Sequence, residues 1–110
     1  MITAIVRYRL PETIDREACR SHFESIAPGF KSVPGLLRNH LIWSAGGIAG
    51  GVYQWRSRAD ADAFYGGPWR DGIIARYGMA PDIEFFDVFC VTDNVAETVT
   101  VLNTAKDGAA

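Results

Sequence analysis

Apolar and polar positions alternate from Ile2 to Leu10. Ile2, Ala4, Val6, Tyr8 and Leu10 share one face, and Thr3, Ile5, Arg7 and Arg9 share the other. That period of two predicts a strand, and Pro11 ends it. The period then lengthens. Cys19, Phe23, Ile26 and Ala27 fall on one helical stripe, with Thr13 or Asp15 as the capping residue and Pro28-Gly29 as the stop or kink. Phe30 and Val33 lead to a turn at Pro34-Gly35. Alternation returns over Leu36 to Trp43, where Leu37, Asn39, Leu41 and Trp43 point one way and Leu36, Arg38, His40 and Ile42 the other. A third strand covers Gly51 to Arg56, with Tyr53 and Trp55 on one side and Val52 and Gln54 on the other.

The stretch SAGGIAGGVYQW joins the second and third strands, so it does not lead into a helix N-terminus as a phosphate cradle must. Gly46-Gly47 predicts a tight hairpin turn. Gly50-Gly51 predicts a bulge or a close approach to a helix, partner or ligand. Ser57 then caps a helix that Gly66-Gly67-Pro68 breaks in two, with Ala61, Phe64 and Tyr65 before the break and Trp69, Ile73, Ile74 and Tyr77 after it. Asp82 to Asp93 reads as a last, almost wholly apolar strand. The tail from 95 to 110 follows; its middle reads as a short strand or a helical turn and its end as disordered.

The order βαββαβ predicts an α+β, ferredoxin-like domain over residues 1–94: a four-stranded antiparallel sheet with two helices on one face. Its first and last strands are expected to stand apart in the sheet. The second sheet face carries apolar residues that one layer of helices cannot cover, which predicts a homodimer packed sheet face to sheet face.

Composition narrows the function classes. The chain has 110 residues, room for one domain, and its 12% aromatic content is high for so small a core. A formal net charge of -2 argues against nucleic acid as a partner. Without an apolar run of about 18 residues no membrane partner is expected, and without a signal-peptide pattern the expected location is cytoplasmic. Cys19 and Cys90 are distant from each other and are read as small buried apolar residues. Two histidines and two cysteines at these spacings predict no metal site, and the motifs of nucleotide binding do not occur.

Three stretches resemble a known group. VPGLLRNHLIW, GGVYQWRSRADADAFYGGPW and FFDVFCV are similar to segments of the dimeric α/β barrel superfamily, most of all the YdhR-type monooxygenases and more loosely the antibiotic-biosynthesis monooxygenases. The resemblance covers most of residues 2 to 94 and rests on structural positions, so it carries fold further than activity. It implies a small cofactor-independent monooxygenase, a non-catalytic ligand-binding or stress-related dimer, or an isomerase or decarboxylase. The haem-degrading branch does not fit, because no histidine follows His40 where that branch has one after its helical tryptophan.

A cofactor-independent oxygenase must form an electron-rich phenolate or enolate in a dry pocket. It needs aromatic walls, a proton acceptor and a donor near the developing negative oxygen. The candidates for the walls, and for binding a small aromatic molecule, are Trp69, Tyr65, Trp55, Tyr53, Trp43 and Phe85, with Asn39 as a polar contact. His40 is the candidate base, Arg7 the candidate donor beside Arg9 or Asn39, and Asp87 the orienting carboxylate. Each also has a plainer role: His40 as a half-exposed strand residue, Arg7 and Asp87 as dimer salt-bridge groups, the aromatics as core or interface. His22 falls on the polar side of the first helix and is expected to face solvent. Trp69, just after the helix break, is the strongest candidate for a cavity wall.

Overall fold

A computed structural model describes residues 1–102. Strand β1 (Ile2–Arg9) is followed by helix α1 (Arg16–Ile26), a 3-10 turn over Ala27–Ser32, β2 (Leu36–Trp43), β3 (Ile48–Trp55), α2 (Arg58–Tyr65), α3 (Pro68–Tyr77), β4 (Asp82–Asp87), β5 (Cys90–Asp93) and β6 (Thr98–Val101). The main sheet is antiparallel with strand order β2-β3-β1-β4, the ferredoxin-like arrangement.

Local chemistry accounts for the elements. Asp15 caps α1 by accepting a hydrogen bond from the Ala18 amide at 2.8 Å. Helix α1 buries Cys19 and Phe23 and runs straight into the 3-10 turn at Pro28. Ser57 caps α2, its hydroxyl accepting from the Asp60 amide at 3.1 Å. Helix α2 is two turns long and buries Ala61 and Tyr65, four residues apart on one stripe. After Gly66-Gly67, α3 restarts with Pro68 in its first turn, and Gly78 ends it in the left-handed conformation at φ 77°.

The core lies between the sheet and the helices. On β1 the alternation is complete: Ile2, Ala4, Val6 and Tyr8 are buried, with Trp55, Tyr53 and Ala49 beside them on β3. Ile83 and Phe85 continue the same face on β4. Trp55, Ile2 and Val6 are the largest fully buried side chains. Burying a side chain of the Val or Ile kind contributes about 1.5–3 kcal/mol. The Trp55 indole N–H donates to the Tyr65 hydroxyl at 3.1 Å, so its polar atom is satisfied in the core.

The glycines of the second hairpin have separate roles. Gly47 has φ 83° and closes the turn, its amide donating to the Ser44 carbonyl at 2.9 Å. Gly50 and Gly51 sit within β3 in unbroken register with β1. A Cβ at Gly50 would collide with the Val6 carbonyl oxygen. One at Gly51 would come within 2.5 Å of the Tyr53 ring and 2.9 Å of Asn39 Oδ1. Close approach, not a bulge, explains this pair; the register shift of the hairpin lies on β2, between Leu36 and Arg38.

Four expectations need correction. The first and last strands of the main sheet do not stand apart: β1 pairs directly with β4, Arg7 opposite Asp82 and Ile2 opposite Asp87. The apolar run from Asp82 to Asp93 is not one strand. It ends at Asp87, and β5 leaves the sheet to pair with β6, Cys90 opposite Val101. The tail's middle is therefore a strand, while its end lies outside the described residues. Of the two cysteines only Cys19 is buried; Cys90 is exposed. The third strand begins at Ile48, earlier than the glycines suggest.

Candidate functional site

Between the sheet and the helices lies a cavity of about 410 Å³. Its floor is Tyr8 of β1, Leu41 of β2 and Tyr53 of β3; its walls are His22 and Ile26 of α1, Phe30 of the 3-10 turn, Phe64 of α2, and Trp69, Ile73, Arg76 and Tyr77 of α3. The helix break positions Trp69. Because α3 restarts at Pro68, its second residue swings over the sheet and meets Phe64 at 5.5 Å and Tyr65 at 5.0 Å between ring centroids.

The lining is mostly apolar, with a few polar groups. Burial pushes the hydroxyls of Tyr8 and Tyr53 up from their ordinary acidity, so both remain protonated. Tyr8 stacks on Tyr77 with centroids 4.5 Å apart, and after burial the charge interaction with Tyr77 and the hydrogen bond the protonated Tyr8 hydroxyl gives it push in the same direction. The Tyr53 hydroxyl lies within reach of the Asn39 amide and the Trp69 indole, and both favour its ionised form without offsetting burial. Asn39 is under-used: its Nδ2 and Oδ1 are buried and neither has a hydrogen-bond partner of proper geometry. His22 is held below its ordinary pKa of 6.5, by burial first and by the Arg76 guanidinium second. The imidazole is therefore neutral at pH 7 and free to accept a proton. No carboxylate lines this cavity, so Arg76 gives it a positive field.

The candidates named from sequence divide across the sheet. Trp69 and Tyr53 line the cavity. Asn39 stands next to Tyr53 in register, on the same face. Trp55 and Tyr65 lie beneath, in the core, and do not line it. Trp43 sits at the outer end of β2 under the Arg16 guanidinium, against a separate depression with Cys19 and Phe23. Phe85 is covered by Arg58, whose guanidinium carbon is 3.6 Å from the ring centroid.

His40 and Arg7 are on the opposite face. His40 aligns with Val52, Val52 with Ile5, and Ile5 with Glu84, a row that points away from the helices. Arg7 is in the neighbouring row and pairs with Asp82 at 3.7 Å and Glu84 at 3.8 Å. Asp87 lies at the end of β4, exposed, beside Ile2. The sheet thus separates His40 and Arg7 from the aromatic cavity, whereas Asp87 is on the helix-side face with Ile83 and Phe85 but at the far end of β4, outside the cavity lining.

Tyr8, His22, Phe30, Arg76 and Tyr77 were not singled out for the cavity by sequence. His22 has the clearest signal after the fact. It stands three residues after Cys19 and next to Phe23, on the border of the buried stripe and not on the solvent side expected of it. Among the described residues, no three His, Cys, Asp or Glu are placed to hold a metal ion.

Solved structures share this architecture. A protein of unknown function from Nitrosomonas europaea superposes with TM-score 0.68 at 15% identity, over 82% of this chain and 90% of its own. An antibiotic biosynthesis monooxygenase superposes with TM-score 0.61 at 17% identity, over 80% of this chain and 98% of its own. The chain has the ferredoxin-like fold of the antibiotic-biosynthesis monooxygenases. A third member of this set is the Streptomyces coelicolor monooxygenase ActVA-Orf6, solved in complex with nanaomycin D, with TM-score 0.60, 17% identity and coverage of 77% of this chain and 84% of its own. At these identities the likeness shows the fold, and activity has to be argued from the cavity. No protein-family model and no curated protein matches the sequence.

Proposed function

We propose that the protein is a cofactor-independent monooxygenase acting on a phenolic or quinol-like aromatic molecule held in the Tyr53–Trp69 cavity. The observation that carries this reading is the pairing of apolar, aromatic walls with one neutral imidazole and one guanidinium, His22 and Arg76, in the same lining. The base is then His22 and not His40. His22 takes a proton from the substrate, and Arg76 stabilises the resulting oxyanion. The electron-rich carbon gives its electrons to oxygen and forms a C–O bond, and the peroxide takes up a proton. Loss of water then breaks the O–O bond and the second C–H bond, leaving a carbonyl. For an anthrone-like CH2 group the sum is one oxygen molecule consumed and one water released, with no external reductant. Tyr53 supplies a hydrogen bond to the developing peroxide, and Asn39, beside it in register, holds that hydroxyl in place.

The functional unit in this reading is a homodimer closed over the open sheet face, in line with the apolar residues that face carries. Oxygen uptake with anthrone tests the proposal. Uptake is expected in the wild type and in His40→Ala, and His22→Gln should slow it by about 10²-fold or more. No uptake with anthrone or with quinols overturns it. A second reading has its own support: the buried tyrosines stay protonated and His22 is the only imidazole in the lining, which suits a non-catalytic binder. Anthrone binding with no oxygen consumed would select that reading.

A further inference from the structure

A second apolar pocket, of about 430 Å³, adjoins the first. The two have Val33, Phe64 and Trp69 in common, and the second adds Ala63, Gly67 and Asp60. The shared side chains therefore stand between two spaces of nearly equal size, each within the range of small-molecule sites. We propose that Trp69 determines ligand size: with Phe64 it is a side-chain wall that confines a planar aromatic to the first pocket, and its reduction lets a longer ring system run through into the second. The proposal rests on the reading of the first cavity as the ligand site.

Three observations carry it. The wall is made of side chains and not of the sheet, so a single substitution can remove it. The indole is the larger part of that wall, held by ring contacts to Phe64 and Tyr65 at 5.5 and 5.0 Å. The charges of the two pockets also differ. Arg76 and His22 line the first, whereas Asp60, its carboxylate accepting from the Ser57 hydroxyl at 3.0 Å, lines the second. A ligand spanning both would place its oxyanion beside Arg76 and an uncharged ring beside Ala63. Apolar pockets discriminate by size, with one methylene worth roughly 10- to 200-fold, so a whole added ring is a sensitive probe.

The test is equilibrium binding of naphthol, anthrone and naphthacenone, with two, three and four fused rings. The wild type should bind the first two and hold naphthacenone roughly tenfold more weakly or worse. Trp69→Ala should raise naphthacenone affinity by about tenfold and lower that of naphthol. Ala63→Phe, at an exposed position of α2 that lines only the second pocket, should cancel the gain when added to Trp69→Ala and leave anthrone binding unchanged on its own. Trp69→Leu repeats the test if circular dichroism shows that Trp69→Ala does not fold. An unchanged ranking of the three probes, equal binding of all three by the wild type, or a gain that survives Ala63→Phe overturns the wall. If no probe binds the wild type, the cavity reading fails and the wall with it; if anthrone binds and the ranking does not move, only the wall fails.

Discussion

At the scale of single residues, His22 illustrates how environment decides role. It stands between the polar Ser21 and the buried Phe23, at the border of the buried stripe of α1, and shares the cavity lining with Arg76. Burial and the guanidinium both hold its pKa below 6.5 in the folded chain. The unfolded chain therefore binds the proton more readily in the window from about 6.5 down to the native value, and stability must fall as pH falls through that window. Urea midpoints of the wild type should drop between about pH 7.5 and 5 more steeply than those of His22→Gln. Parallel pH profiles for the two proteins would refute the assignment. Gly51 makes the complementary point, since the ring of Tyr53 and the amide of Asn39 occupy the space its side chain would need. No local pattern distinguishes that reason from a turn or a bulge, because the crowding comes from the folded sheet.

At the scale of elements, periodicity was sufficient for most of the chain. The faces of β1 and β2 read directly from alternation, and the boundaries of β2 from Pro34-Gly35 and the start of the glycine stretch. The helix break at Gly66-Gly67-Pro68 was equally legible, because proline cannot continue a helix past its first turn. Of the two cap candidates for α1, Asp15 is the one whose side chain accepts the Ala18 amide. Asp15→Ala should cost about 1 kcal/mol, read as a lower urea midpoint with an unchanged slope, whereas Thr13→Ala should leave the midpoint nearly unmoved. A larger effect at Thr13 would reverse the assignment. The last strand was not legible. Its apolar run has no break signal at Val88-Phe89, and β5 leaves the sheet to pair with β6, a partner later in the chain.

At the scale of the whole molecule, two surfaces look incomplete. The open sheet face presents Ile5, Val52, Ile42 and Phe86 among the charges of Arg7, Asp82 and Glu84. The β5–β6 hairpin exposes Phe89, Val99 and Val101, and a two-stranded hairpin alone is marginally stable in water. A second copy covering the open face would bury about 1,200–2,000 Å² if the interface is of ordinary size. Light scattering should therefore give a dimer, and Val52→Asp, at the centre of that face, should shift it to monomer while circular dichroism stays unchanged. A wild-type monomer in dilute solution would remove this reading.

The order of elements, the faces of the central strands and the α+β architecture are legible in the chain before it folds, because each follows from local spacing of apolar residues and from proline, glycine and capping chemistry. The sequence also marks Trp69, just after the helix break, and Tyr53, on the third strand, as aromatic wall candidates. Which face meets the helices is settled by folding, which parts His40 and Arg7 from the aromatic side and brings His22 and Arg76 to it. The physical reason is range. Alternation fixes that two sets of side chains lie on opposite faces, but it does not state which face a helix will cover. That choice comes from packing between segments tens of residues apart, as does the pairing of β1 with β4.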